Sequence, residues 1–216
     1  MLQVTDLQFG YGAPLVRGLN FTIEAGTIRL LHGPSGCGKS SLLAILSGTA
    51  DKNLKWCGKI TLDGVEIGHM PAAQRGVGLM FQDPLLFPHM TVGDNLAFGL
   101  RAARSGRAER LQAVLDALHE CGLDDFAGRD PASLSGGQKA RVALMRALLA
   151  APKMLLLDEA FSSLDPELRQ TFGKFVASQV AARKIPALLV SHDAGDKSLT
   201  SGAIIKFPNL QNGFVR

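Results

Sequence analysis

The chain reads as an α/β domain on three observations. Short β-branched and apolar runs alternate with longer stretches of helical periodicity, Gly or Pro stands between them, and strand signals lapse from Pro84 to Ser133, where two helical patterns follow one another. Alternation of this kind predicts a sheet with helices packed on it, in place of a helix bundle or a β-sandwich. The lapse predicts a helical subdomain, 84–133, inserted into a single domain spanning 1–216.

Taken in order, Leu2–Phe9 and Leu19–Ile23 are short apolar runs of strand type, and Thr27–His32 (TIRLLH) is a third. Lys39–Gly48 has helical spacing and ends on glycine. Lys59–Leu62 and Val77–Phe81 are strands again, whereas Thr49–Gly58, with the sole tryptophan Trp56, is longer than a simple turn and has no assigned role. Val92–Ala103 and Arg107–Cys121 are the helices of the insertion. Gly136–Ala150 and Pro166–Arg183 carry helical periodicity around the apolar strand Met154–Leu157, and Ala187–Ser191 and Ala203–Phe207 complete the strands. Phe9, Phe21, Phe98 and Phe126 are expected in the core. Arg101, Arg104, Arg107 and Arg110 recur every three residues and are read as a solvated face that Gly106 interrupts.

Composition narrows the function. With 216 residues, 46% of them apolar, the chain can bury a core without disulfide or metal staples. A formal charge of +4, with neither half a charged tail, does not argue for a nucleic-acid binder, and no nucleic-acid partner is expected. A membrane-spanning helix needs about 20 mainly apolar residues in a row. The richest stretch, Ala147–Leu157, is broken by Pro152 and Lys153 and runs into Asp158 and Glu159. The opening MLQVTDLQFG lacks the basic start and apolar run of a secretory signal, which makes the cytoplasm the expected compartment. Cys37, Cys57 and Cys121 fit neither a zinc pattern nor a disulfide framework and read as free thiols.

Chemistry enters at Gly33–Ser40, GPSGCGKS, which matches the phosphate-binding G-x-x-x-x-G-K-[ST] pattern between an apolar strand and a helix. Gly33, Gly36 and Gly38 let the backbone turn its N–H groups around phosphate oxygens, and the helix adds its positive end. Lys39 then reaches the terminal phosphates and Ser40 holds Mg²⁺. Asp158 and Glu159 stand at the carboxyl end of the strand KMLLL, the edge where ligands bind in open α/β sheets. Paired acids there also suit a helix N-terminus. Beside the phosphate loop the favoured reading is Asp158 holding Mg²⁺ and Glu159 deprotonating a water. Cys37 lies near a helix N-terminus, a setting that tends to make a thiol reactive, and is equally a small packing residue.

LSGGQ, Leu134–Gln138, stands between these two elements, and in their company the chain closely resembles the ATP-binding subunits of ABC transporters over nearly its whole length. The resemblance implies an α/β fold with a P-loop NTPase core, an antiparallel β subdomain and an inserted helical subdomain. It implies a nucleotide site of Tyr11, Gly33, Pro34, Ser35, Gly36, Cys37, Gly38, Lys39, Ser40 and Ser41, with adenine stacked on Tyr11. Gln82 is matched to the glutamine that senses Mg²⁺ and the γ-phosphate, so the metal set becomes Ser40, Gln82 and Asp158. Ser162–Asp165 match the D-loop, with Asp165 its acid, and His192 matches the histidine that bonds the γ-phosphate, giving a catalytic set of Glu159, His192 and Lys39.

Ser135 at the entrance of a helix is a second anion site in one chain. The resemblance accounts for it: a second copy pairs head to tail, and Leu134, Ser135, Gly136, Gly137 and Gln138 act on the partner's ATP. Ala160 and Ser41 replace a common proline and threonine, and DAGDKSLTSG after His192 lacks the familiar Glu-Ala pair; none of these removes a catalytic group. The chain ends at Arg216, so no C-terminal regulatory domain is expected. LFPHMTVGDNLAFGL after Gln82 resembles small-solute importers, compact thiamine-type or related ones among them. That implies membrane permease subunits docking near Leu85, Leu86 and Phe87, and a place on the inner face of the cell membrane. A non-transport ATPase acting on DNA or ribosomes, or an exporter or lipid-transport subunit, is the alternative.

Overall fold

The computed structural model describes residues 1–34, 36–100, 106–200 and 204–207. Ser35, Arg101, Arg104 and Ala203, with the tail of the expected helix Val92–Ala103, lie outside them. Two sheets form the frame. Strands β1 (Leu2–Tyr11), β2 (Ala13–Ile23), β4 (Leu54–Leu62) and β5 (Val65–Glu66) make an antiparallel sheet in the order β2-β1-β4-β5. Strands β3 (Ile28–His32), β6 (Val77–Met80), β7 (Met154–Asp158), β8 (Ala187–Ser191) and β9 (Ile205–Lys206) make a parallel sheet in the order β6-β7-β8-β3-β9.

The antiparallel sheet is longer than the local sequence pattern predicts. β2 begins at Ala13, six residues before the expected start, because Gly12 at φ 75° turns the chain straight back on β1 and register shifts absorb residues that do not alternate. β4 begins at Leu54, so the unassigned Thr49–Gly58 segment ends as strand, with Leu54, Lys55 and Trp56 paired to Tyr11, Gly10 and Phe9. Trp56 packs on this core and stacks on His69 at 5.3 Å between ring centres. The short β5 was not expected; Asp63 and Gly64, both at positive φ, make the two-residue turn that returns it to β4.

Period-two alternation in the parallel strands feeds two separate cores. Leu155, Leu157, Ala187 and Leu189 face one, and Met154, Leu156, Leu188 and Val190 face the other. The second core lies between the sheet, the antiparallel strands and helix α1 (Lys39–Ser47). The first holds α5 (Pro166–Arg183) together with α2 (Val92–Gly99), α3 (Arg107–Cys121) and α4 (Gly136–Leu149), so the inserted helices share a core with the sheet. Gly106 precedes α3 in extended conformation, so the arginine spacing does not run along one helix.

Phe9 and Phe21 are buried as expected, and Phe126 is half-buried beneath Arg129. Phe98 is a correction: it is 63% exposed on the outer side of α2. α2 lies so close to α4 that a Cβ on Gly99 would come within 2.1 Å of the Arg146 carbonyl oxygen, and Phe98 faces away from that contact into solvent beside Phe87. Arg75, which sequence reasoning passed over, is buried and donates to the carbonyls of Ile45, Leu46, Gly68 and Met70. It ties the C-terminal end of α1 to the chain entering β6, a favourable place for a cation at the negative end of a helix.

Candidate nucleotide site

The site gathers at the carboxyl edge of the parallel sheet, where β3 and β7 end. β3 stops at His32, and the chain passes through the glycine-rich loop into α1 at Lys39. Gly36 and Gly38 stand at φ 79° and 103°, the left-handed region that a loop turned inward on itself demands. At Gly38 a Cβ would also run into Leu15 at 2.9 Å and Phe9 at 3.0 Å. Lys39 is only 7% exposed, and its ammonium donates to the Gly33 and Pro34 carbonyls at 2.7 and 2.8 Å, which holds the loop and the cation together. Cys37 is buried with its sulfur against Gly33; Cys57 is exposed, and burial pushes the Cys121 thiol up to about 12.

Two adjoining clefts meet at Ser40 and Glu159. One, of about 660 Å³, is lined by Ser40, Phe81, Gln82, Asp83, Pro84, Asp158, Glu159 and Ser163. The other, of about 440 Å³, is lined by Tyr11, Leu15, Gly36, Gly38, Lys39, Ser40, Ser41 and Glu159, with the Tyr11 side chain 56% exposed at its rim. Ser40, Gln82, Asp158 and Glu159 are thus brought together from α1, the segment after β6 and the end of β7. Burial pushes the Asp158 carboxyl above its ordinary range, Glu159 pushes it the same way, and Lys39 partly offsets both. Glu159 stands at φ 49° and is fixed there by its N–H to the Val190 carbonyl and by the Ser162 N–H and hydroxyl, which both donate to its own carbonyl. His192 Nδ1 lies 3.3 Å from Glu159 Oε1.

LSGGQ does open a helix. Ser135 caps α4: its hydroxyl accepts from Gln138 N at 3.3 Å, while Gln138 Oε1 accepts from Ser135 N at 2.9 Å. Leu134 is buried as the anchor and Gly137 lies under Leu168, whereas Ser135 and Gly136 are exposed. None of these five residues lines either cleft. Asp165 likewise lines neither; it caps α5, accepting from Glu167 N and Leu168 N.

Residues 16–162 match the family model described as ABC transporter. The chain belongs to the ABC transporter family. It is 47% identical over 190 residues to the uncharacterized ABC transporter ATP-binding protein YnjD of Escherichia coli strain K12, with 88% of this chain and 87% of that one covered. The spermidine/putrescine import ATP-binding protein PotA of Pasteurella multocida is 38% identical over 206 residues, and that of Salmonella typhimurium 40% over 204. Those alignments cover 95% and 94% of this chain but 55% and 52% of the relatives, so the chain spans about half the length of the PotA proteins it matches. The chain is an ABC transporter ATP-binding subunit, and such subunits are ATPases. No helix among the described residues is long and apolar enough to cross a membrane.

Two buried anchors of the segment after Gln82 were missed by sequence reasoning. Asn95, fully buried in α2, clamps Phe87 by accepting from its N–H at 2.8 Å and donating to its carbonyl at 3.1 Å. Arg146, in the last turn of α4, donates to the Leu85 and Pro84 carbonyls and sits 5.0 Å over the Phe87 ring. Burial holds its guanidinium below the ordinary arginine range. The one sequence signal for Asn95 was a poor helix former in a helix interior; Arg146 gave none.

Proposed function

We propose that this subunit hydrolyses ATP at the interface of a two-fold dimer, driving import of a small solute through separate membrane subunits. The observation that carries the reading is the separation of two phosphate-ready helix ends: the α1 end opens into the clefts, and the exposed α4 end at Ser135 belongs to neither. A second copy completes each site by presenting Ser135, Gly136 and Gly137 to the ATP held by the first.

Tyr11 stacks the adenine, and the loop amides from Gly33 to Ser41, together with Lys39, cradle the phosphates. Ser40, Gln82 and Asp158 are oxygen donors around one cleft, the chemistry Mg²⁺ favours. These three residues would hold such an ion. Bound there, it lends positive charge to the phosphate oxygens. Glu159 takes the proton of the attacking water, and His192 donates to the γ-phosphate. Asp165 stands at the dimer seam.

The permease subunits dock on the exposed and half-exposed apolar residues Leu85, Leu86 and Phe87, continued by Phe81 and Phe98. Docking there places the subunit peripherally on the inner face of the cell membrane. Replacing Glu159 by Gln tests the reading: the variant binds ATP, accumulates as an ATP-held dimer on size exclusion, and loses about 10²-fold or more of its turnover. Hydrolysis near the parental rate overturns it.

A further inference from the structure

We infer that Asp196 and Arg169 are positioning residues for His192, a buried carboxylate and a guanidinium that tie the loop carrying the histidine to the first turn of α5. The inference rests on the catalytic role proposed for His192. The histidine side chain is 60% exposed and, among the described residues, bonds only Glu159, so its placement draws on its neighbours.

Those neighbours are held on both sides. Asp196, 2% exposed, accepts a hydrogen bond from the Ser191 hydroxyl at 2.6 Å, and that same hydroxyl accepts from Asp193 N at 2.9 Å. Asp193 accepts from Gly195 N at 2.7 Å with one carboxylate oxygen and from Arg169 Nη1 with the other. His192 is therefore bracketed by two residues whose side chains converge on one small network. Gly195 and Arg169 both hold the Asp193 carboxyl below its ordinary range, which keeps it anionic opposite the guanidinium.

Arg169 supplies the connection to the rest of the site. It lies one turn into α5, its backbone N–H bonded to the Asp165 carbonyl at 2.8 Å, so the link joins the capping turn of α5 to the histidine loop. A second seam runs parallel: the Leu199 side chain packs over Gly173, where a Cβ would come within 2.4 Å of its Cδ1. One part of the network is incomplete. Arg169 Nε and Asp196 Oδ1 face each other at 4.0 Å, and both are buried without a hydrogen-bond partner among the described residues. Buried polar atoms left unpaired are costly. Here they hold opposite charges at a distance that one added methylene closes.

The test compares steady-state ATP hydrolysis by the full chain carrying D196N, D196E, R169Q, H192A and H192A combined with D196N. D196N and R169Q, which weaken the same network at the Ser191 contact and at the Asp193 contact respectively, are expected to lower kcat about tenfold or more with KM for ATP within about twofold. D196E, which keeps the charge and extends its reach, is expected to stay within about twofold of the parent. The double variant is expected to be no slower than H192A alone, because residues acting as a unit do not add. Parental kcat in both D196N and R169Q, a D196E as slow as D196N, or a double variant showing the full product of the two losses overturns the inference. Parental hydrolysis by H192A instead overturns the role of His192 from which the inference starts.

Discussion

Asp158 sits half out of water beside Glu159, so the folded chain holds a carboxylate whose charge it disfavours. Its folded pKa is raised above the unfolded value. The folded state thus binds the proton more tightly, and this contribution to stability is full at low pH and disappears as pH rises through the folded pKa. Above its folded pKa the ligand-free protein therefore carries an ionised Asp158 at a loss in stability. Replacing Asp158 by Asn removes that charge, and we expect the melting temperature of the nucleotide-free chain at neutral pH to rise while hydrolysis is lost. A lower melting temperature in a scanning-calorimetry comparison contradicts the assignment.

At the scale of elements, close approach of backbones decides more than propensity does. Gly99 lets α2 lie directly on the Arg146 carbonyl, and a methyl there has nowhere to go. Gly99→Ala is expected to destabilise the fold by about 1–3 kcal/mol, the usual cost of overpacking, measured by denaturant unfolding; a change under about 0.5 kcal/mol excludes the contact as a packing constraint. The same element shows what a sequence exposes and what it hides. α3 was legible to the residue, because its apolar spacing begins after one glycine and ends at another, Gly122 at φ 67°. The glycine loop and the Ser135 cap were legible because backbone geometry restricts which residues can occupy them. The early start of β2 and β4 was not, since their register is set by pairing with β1 and not by their own alternation. Nor was the exposure of Phe98, because an aromatic residue on a short helix is apolar whichever way it faces. Arg146 was hidden for a further reason: its partners are carbonyls sixty residues away in the chain, and any sequence supplies carbonyls.

For the whole molecule, the inserted helices connect two surfaces that the chain keeps apart. α4 starts at the exposed Ser135 and ends with Arg146 gripping the Pro84–Phe87 segment, while Asn95 of α2 grips the same segment from the other side. A push on Leu85 or Phe87 therefore bears on the helix whose far end is the exposed Ser135. Replacing Phe98 by Glu puts a charge in the middle of that apolar surface and is expected to reduce co-purification with the membrane subunits at least about tenfold, read by quantitative pull-down. Undiminished recovery places the docking surface elsewhere.

The left-handed backbone at Glu159 has a consequence for any effort to make such a chain more robust. A side chain in that region is strained by roughly 1–3 kcal/mol, and glycine occupies it freely. A screen that scores only survival on heating rewards glycine at 159, enriching for chains that fold better and have discarded the proposed base. The position is one where durability and work pull in opposite directions, and a thermostable library must hold it constant.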